Sequence, residues 1–329
     1  MNNWFEIKDI GKIQLEVTNF CNAACPLCVR EDLHSSDLNS VNLRLDEIKN
    51  WFVDGDWINL ENVTLTGNVD EPMMNPEIVE ICKFFLKLND KVEVNISTNG
   101  GIRSCSLWKK LGELSYQTKR IRVIFGIDGL ENTNHIYRRN VQWKKLENNF
   151  RAYIQAGGKA IWQFIPFEHN KHEIDAAYDR SISENFHNFK IRESSRSNIE
   201  DIIPAKKSEK TKNLVKRKTE NTYVPEKKVI CAAKPFNSND YFHKNLASLF
   251  INYKGQCLPC CFTGKPERIN EFEKQYELDL DSVSLHKKSF EQIFSGQVWN
   301  WILSNMQDYK VCIMKCQQKI LDRSYERTK

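Results

Sequence analysis

The chain has 329 residues, 40% of them hydrophobic and 28% charged, and a formal charge of +5. That is an ordinary globular mixture, long enough for one large α/β domain and a smaller one. The charge is too weak to imply nucleic acid, and an acidic peptide or a phosphorylated small molecule fits it equally well. The opening MNNWFEIKDIGKIQLEV has no basic segment followed by an apolar run. No stretch approaches the ~20 apolar residues of a membrane span. A cytoplasmic protein without membrane contact is therefore expected.

In chain order, β-rich apolar runs alternate with amphipathic helical runs over the first ~190 residues, the pattern of a parallel sheet built from βα units. Strands are predicted at residues 13–18, 63–66, 92–97, 121–127, 159–165 and 188–192. The helix after the second strand has Asn75 as its cap and Pro76 in its first turn. The one near 141–156 stops at Gly157-Gly158. Six units fall short of the eight that close a full barrel, so the fold class expected is α/β, a partial (β/α)6 barrel. Ligands of such sheets bind beyond the C-terminal ends of the strands.

Residues 194–228 change character to a lysine-rich polar run, read as a solvated linker or a surface for an acidic partner. The expected domains are thus 1–193, the linker 194–228 and a small α+β domain over 229–329. The last contains a hairpin turning at Lys254-Gly255 and a helix near 287–306.

Eleven cysteines in a reducing compartment point to metal or catalysis before disulfides. Cys82 and Cys105 stand alone and read as structural thiols. Cys21, Cys25 and Cys28 lie on one loop directly after the first strand, spaced C-x3-C-x2-C. Three thiolates so placed reach three irons of a cubane cluster and leave the fourth open. A structural zinc site wants four ligands, and His34 is the only local candidate for the fourth. His169 and His172, after the fifth strand, are too isolated to argue for a metal.

The spacing and position of this trio resemble the radical S-adenosylmethionine (SAM) superfamily. The resemblance implies that Cys21, Cys25 and Cys28 bind a [4Fe–4S] cluster and that SAM chelates the open iron. It implies reductive cleavage of SAM to methionine and a 5′-deoxyadenosyl radical, with electrons from a reductant such as flavodoxin or ferredoxin. Leu27 holds the place of the family's apolar residue near adenine. The loop LTGNVDEPMMNP resembles the Gly-Gly-Glu-Pro loop that receives the SAM amino group, although Asp70 stands where a glycine is usual. Gly67, Asn68, Asp70 and Glu71 are its candidates. Ser97 and Asn99 follow the third strand and are candidates for the ribose or the methionine carboxylate. The segment FGIDGLENTNHIYRRN resembles the Ser-x-Asp-Gly segment, with Gly126 in place of serine. Asp128 carries over, and Arg138 or Arg139 is the candidate for the SAM carboxylate.

The later pattern, Cys231, Gly255-x4-Cys260 and Cys312-x3-Cys316, resembles the SPASM or shorter twitch extension. It implies one auxiliary [4Fe–4S] cluster held by Cys231, Cys260, Cys312 and Cys316, with Cys257 and Cys261 left over. A zinc knuckle is the alternative on spacing alone. Relatives of this kind imply a peptide or protein substrate, with the auxiliary cluster accepting an electron; a sugar or nucleotide-like small molecule is the second enzymatic reading. Only about twelve residues precede the first strand, so no dedicated leader-binding domain is expected there. A zinc or iron–sulfur binding protein is the non-enzymatic reading. Gln163, Arg192 and Glu193 are candidates for the substrate side, from strand position alone.

Overall fold

A computed structural model describes residues 6–32, 41–194, 202–203 and 247–305. Cys231, Cys312, Cys316, His34 and nearly all of the lysine-rich linker lie outside the described residues.

Six parallel strands form the barrel portion: β1 (Ile10–Leu15), β2 (Asn62–Leu65), β3 (Glu93–Thr98), β4 (Ile121–Gly126), β5 (Lys159–Phe164) and β6 (Asn188–Ile191). Helices α1 (Leu45–Phe52), α2 (Ile78–Leu88), α3 (Cys105–Thr118), α5 (Trp143–Gln155) and α6 (Ile174–Ser183) fill the crossovers, with the one-turn α4 (Asn134–Tyr137) ahead of α5. The order β6-β5-β4-β3-β2-β1 is that of a partial (β/α)6 barrel. The sheet does not stop at β1. A seventh strand, β7 (Ala247–Ile251), pairs parallel to β1, and β8 (Cys257–Leu258) returns antiparallel to β7. The hairpin of the last third is therefore continuous with the barrel sheet. Its turn needs the left-handed backbone of Gly255, φ +70°. Beyond it come α7 (Pro266–Lys274), α8 (Phe290–Phe294) and α9 (Gln297–Asn305). The single helix expected near 287–306 is divided, because Ser295 and Gly296 terminate the first piece through bonds back to Glu291 and Ile293.

The alternation of each strand separates two environments. Val63, Leu65, Val94, Ile96, Val123, Phe125, Trp162 and Phe164 are all fully buried. They meet the helices through an aromatic layer that includes Trp108, Phe150, Tyr153 and Phe186. Each such side chain removed from water contributes about 1.5–3 kcal/mol. The opposite face is polar: Gln14, Thr64, Asn95 and Arg122 form a cross-strand row, and Gly126, Gln163 and Lys190 form another. Of these, Gln14, Thr64, Asn95, Arg122 and Gln163 are half-buried and Lys190 is exposed. The concave side is thus built for a polar occupant.

Two local expectations shift. Residues 16–18 leave the first strand, and Thr18 instead bridges to Asn42. Asn75 does not cap α2. Its side-chain nitrogen is used by the carbonyls of Val17 and Leu43, both at 2.8 Å, and its oxygen accepts from the Glu77 amide at 2.9 Å. Asn75 so ties the start of the cysteine loop to the β2–α2 connection.

Candidate functional site

The cysteine loop leaves β1 at its C-terminal end. Asn19 fixes it by pairing both its main-chain amide and its side-chain oxygen with Val41, and the Leu43 amide donates to Val17. Arg30 donates to the carbonyls of Asn19 and Val69, binding the loop to the β2 connection. Cys25 is buried, whereas Cys21 and Cys28 are half-buried. The three thiols feel one another: Cys25 and Cys28 both push the Cys21 thiol up, after burial and the Glu71 charge, to about 12. Burial also raises Cys25, against the pull of Arg138. Such thiols are neutral without a metal and become ligands only when a cation compensates the thiolate charge. Donors already face the sulfurs. The Ala23 amide lies 3.4 Å from Cys21 Sγ, Asn99 Nδ2 lies 3.9 Å from the same atom, and Arg138 Nη1 lies 3.9 Å from Cys25 Sγ. N–H groups aimed at cysteine sulfur suit a soft, charge-accepting cluster. Among the described residues no three His, Cys, Asp or Glu side chains converge on a single-ion position. The donor set and its surroundings fit an iron–sulfur cluster.

Around the trio, the structure brings together most of the residues singled out above. Leu27 is buried within the loop. Glu71 is 3% exposed and accepts from Thr98 Oγ1 at 2.5 Å, from the Asn99 amide at 2.7 Å and from the Met73 amide at 3.2 Å. Its carboxylate is thereby committed to joining the β2 and β3 connections. Asn99 then reaches Asn22 Oδ1 at 2.9 Å, beside Cys21. Asp70 differs. Neither of its buried oxygens makes a hydrogen bond among the described residues. Burial and the charges of Glu16 and Glu71 push its carboxyl well up, with the Gly67 and Val17 amides acting the other way. It is an open acceptor beside the loop. Ser97 is half-buried on the concave face.

Asp128 is fully buried and accepts from Arg138 Nε at 2.7 Å and from the Ile165 amide at 2.6 Å. Burial raises its carboxyl and the Arg138 guanidinium opposes that. Of the two arginines, Arg138 is turned inward. Arg139 has an exposed side chain, and its carbonyl accepts from the Ala24 amide of the cysteine loop at 3.1 Å. Gln163 is half-buried, two strand positions beyond Ile161 on the same face. Arg192 and Glu193 are exposed past β6. Burial pushes the Cys261 thiol up, to about 11, and the Arg192 charge acts the other way.

Of the second cysteine group, Cys257 is fully buried in β8, while Cys260 and Cys261 are half-buried in the turn beyond it. The Thr263 hydroxyl lies 3.8 Å from Cys260 Sγ. Cys82 is fully buried on α2, Cys105 is exposed at the start of α3 and His172 is exposed. His169 stacks on Phe167 with ring centroids 5.5 Å apart.

Glu16 was not singled out in the sequence. It is 1% exposed, and one of its oxygens accepts from the Asn68 amide at 2.5 Å and the Val69 amide at 3.3 Å; the other accepts from the Tyr253 amide at 3.4 Å. A Cβ at position 67 would lie 1.8 Å from Glu16 Cγ, so Gly67 is required for this approach. Asn68 Nδ2 in turn donates to the Cys261 carbonyl at 2.9 Å. A glutamate within the strand predicted over 13–18, just ahead of the cysteine loop, was the available signal, since a buried carboxylate must find donors.

Comparison with known proteins agrees with this geometry. The radical SAM superfamily matches residues 15–180, just over half the chain, and an iron–sulfur cluster-binding domain of the SPASM type matches residues 244–318. The chain belongs to the radical SAM superfamily. It is a radical SAM enzyme with a C-terminal SPASM domain, and its cofactors are SAM, a [4Fe–4S] cluster and auxiliary iron–sulfur chemistry in that domain. Among curated proteins it is 29% identical over 117 residues to a GTP 3′,8-cyclase of Clostridium perfringens, covering 35% of this chain and 34% of the relative. A GTP 3′,8-cyclase of Microcystis aeruginosa is 26% identical over 130 residues, 38% of this chain and 36% of the relative. The chain thus matches about a third of the length of these relatives. Among solved structures, SuiB of Streptococcus suis superposes with TM-score 0.57 at 14% identity, covering 92% of this chain and 68% of SuiB. Native anSMEcpe with bound AdoMet gives 0.55 at 12% identity, covering 92% of this chain and 87% of that one. These two likenesses concern the fold. Among the described residues no helix is long and apolar enough to cross a membrane.

Proposed function

We propose that this radical SAM enzyme modifies a peptide or protein side chain. In this reading Cys21, Cys25 and Cys28 hold the SAM-site [4Fe–4S] cluster, and Cys260 joins Cys231, Cys312 and Cys316 in holding an auxiliary one. The observation that carries the site reading is three thiols on one loop, with N–H donors facing the Cys21 and Cys25 sulfurs, next to an open buried carboxylate, Asp70. The bound cluster and SAM supply one-electron cleavage and a carbon radical; the protein binds, orients and excludes water. Asp70 receives the SAM ammonium, a charge-assisted contact that compensates a carboxylate otherwise buried without a cation. Asn68, Gly67 and Leu27 shape the same end, while Ser97 and Asn99 offer polar contacts from the β3 side. Glu71 acts by fixing Asn99. Gln163, Arg192 and Glu193 face the open side, where a substrate enters.

The peptide reading is supported by the polar concave face and by the fold shared with SuiB, which has been solved bound to the precursor peptide SuiA. A nucleotide-like substrate is the second reading. It is favoured by the local similarity to GTP 3′,8-cyclases. Cytoplasmic location and reduction by a flavodoxin or ferredoxin belong to the proposal. The test is anaerobic reconstitution. Two clusters predict about eight irons per chain and dithionite-dependent release of 5′-deoxyadenosine. Alanine at Cys21, Cys25 or Cys28 should remove about four irons and all SAM cleavage. Full cleavage in any of those variants refutes the ligand set. Incubation with GTP and with peptides encoded beside the gene then separates the substrates, by a nucleotide product or by a mass change on the peptide.

A further inference from the structure

The arginine after β4 sits in an unusual place. Gly126 ends that strand on the concave face, and the Arg138 guanidinium occupies the space a side chain there would fill. A Cβ there would come 2.5 Å from Arg138 Nη2 and 3.0 Å from Cζ. Glycine is the one residue that leaves room for the guanidinium at this position. Asp128 holds the other edge of the fork at 2.7 Å and is itself fixed by the Ile165 amide at 2.6 Å. The free end, Nη1, points to Cys25 Sγ at 3.9 Å. The side chain is only 17% exposed, against 0% for Asp128. A cation confined on three sides, with one N–H on a cysteine sulfur, is placed to act on that sulfur.

We propose that Arg138, seated on Gly126 and held by Asp128, is a positioning residue that donates to the Cys25 sulfur and raises the reduction potential of the cluster at Cys21, Cys25 and Cys28. The proposal rests on the reading that these three cysteines hold that cluster. Reduction adds one negative charge to the cluster. A hydrogen-bond donor and a positive charge at a ligand sulfur favour the reduced form, and hydrogen bonds to sulfur are among the main levers on such potentials. Asp128 matters in turn because a fixed guanidinium keeps its geometry when the cluster changes charge. A side chain at 126, even that of serine, would displace the guanidinium from the strand and lengthen the contact.

The test is an EPR-monitored redox titration of the reconstituted full chain, following the signal that responds to SAM, with SAM affinity measured in parallel. Arg138→Gln should leave the iron content intact and shift the midpoint to lower potential. Arg138→Lys, which keeps the charge but loses the fork, should fall between. Gly126→Ser keeps the arginine and leaves no buried charge unpaired, so it serves if Arg138→Gln fails to fold. It should shift the midpoint in the same direction. A loaded cluster whose midpoint is unchanged in Arg138→Gln and Gly126→Ser overturns the proposal. So does a tenfold loss of SAM affinity without a shift, since the arginine then serves the SAM carboxylate. A wild-type chain in which these cysteines take up no iron overturns the underlying assignment and the proposal with it, and iron analysis distinguishes that result from the others.

Discussion

Glu71→Ala tests whether the acidic loop after β2 is a structural joint. The side chain is 3% exposed and accepts three hydrogen bonds, from Thr98 Oγ1 and from the amides of Asn99 and Met73. Alanine leaves both amides buried without an acceptor, at about 1–3 kcal/mol each. Part of that loss is returned, because burial of the carboxylate itself is costly and pushes its pKa up. The net expected loss is about 2–4 kcal/mol. Glu71→Gln keeps one acceptor but turns an NH2 group toward an amide donor, so it should fall between. The raised pKa fixes the sign with pH. The folded chain holds the Glu71 proton more tightly than the unfolded chain, so this residue's stabilisation declines as pH rises above the ordinary carboxylate range. The advantage of wild type over Glu71→Gln should therefore narrow from pH 5 to pH 8. Anaerobic urea denaturation of the metal-free chain measures both quantities. An alanine variant within 1 kcal/mol of wild type, or a gap that widens with pH, would refute the reasoning.

Asp70→Asn removes the only buried carboxylate of the loop whose oxygens lack hydrogen bonds among the described residues; it should weaken SAM binding about tenfold, or ~1.4 kcal/mol, with iron content unchanged, as read by equilibrium dialysis. Cys257→Ala should keep the wild-type iron content because that thiol is enclosed in β8, whereas Cys260→Ala should lose about four irons per chain; equal iron loss in both would contradict the assignment. Glu184 pairs with Arg151 at 2.6 Å and Arg180 at 2.9 Å across α5 and α6, and the Arg151 hydrogen bond leads the causes that lower its pKa. Glu184→Gln should cost about 0.5–1 kcal/mol at pH 7, and the difference should vanish in thermal melts as pH falls through the carboxylate range.

The barrel was legible because parallel βα units write their strands as short β-branched runs bounded by helical periodicity, and all six predicted strands have a counterpart displaced by three residues at most. The cysteine loop was legible because its three ligands are local in sequence. What could not be read depended on distant partners. Nothing in LASLFI says that it pairs with β1 rather than within its own domain, since register with a strand more than two hundred residues earlier has no local code. Asn75 looked like a helix cap, and its oxygen does accept from the Glu77 amide, but α2 starts only at Ile78 and the side-chain nitrogen is spent on the carbonyls of Val17 and Leu43, partners that no local pattern announces. The choice between Arg138 and Arg139 needed the backbone direction after α4, which two adjacent arginines cannot reveal.

The contacts of Glu16 explain why the auxiliary hairpin should be counted with the barrel mouth. Were β7 only an edge strand, the hairpin turn would be free to hinge about it. Glu16 prevents this by accepting from Asn68 and Val69 on one side and Tyr253 on the other, and Asn68 adds a second tie to the Cys261 carbonyl. Burial pushes the Glu16 carboxyl well up, and those amides are what oppose the burial. Each tie therefore supports the others: losing the hairpin contact would leave a buried carboxylate less satisfied, and losing the carboxylate would orphan amides in both segments. The loop that carries Asp70 and the turn that carries Cys260 are thus tied to each other through Glu16 and Asn68. The spacing between these two segments is set by hydrogen bonds within the protein.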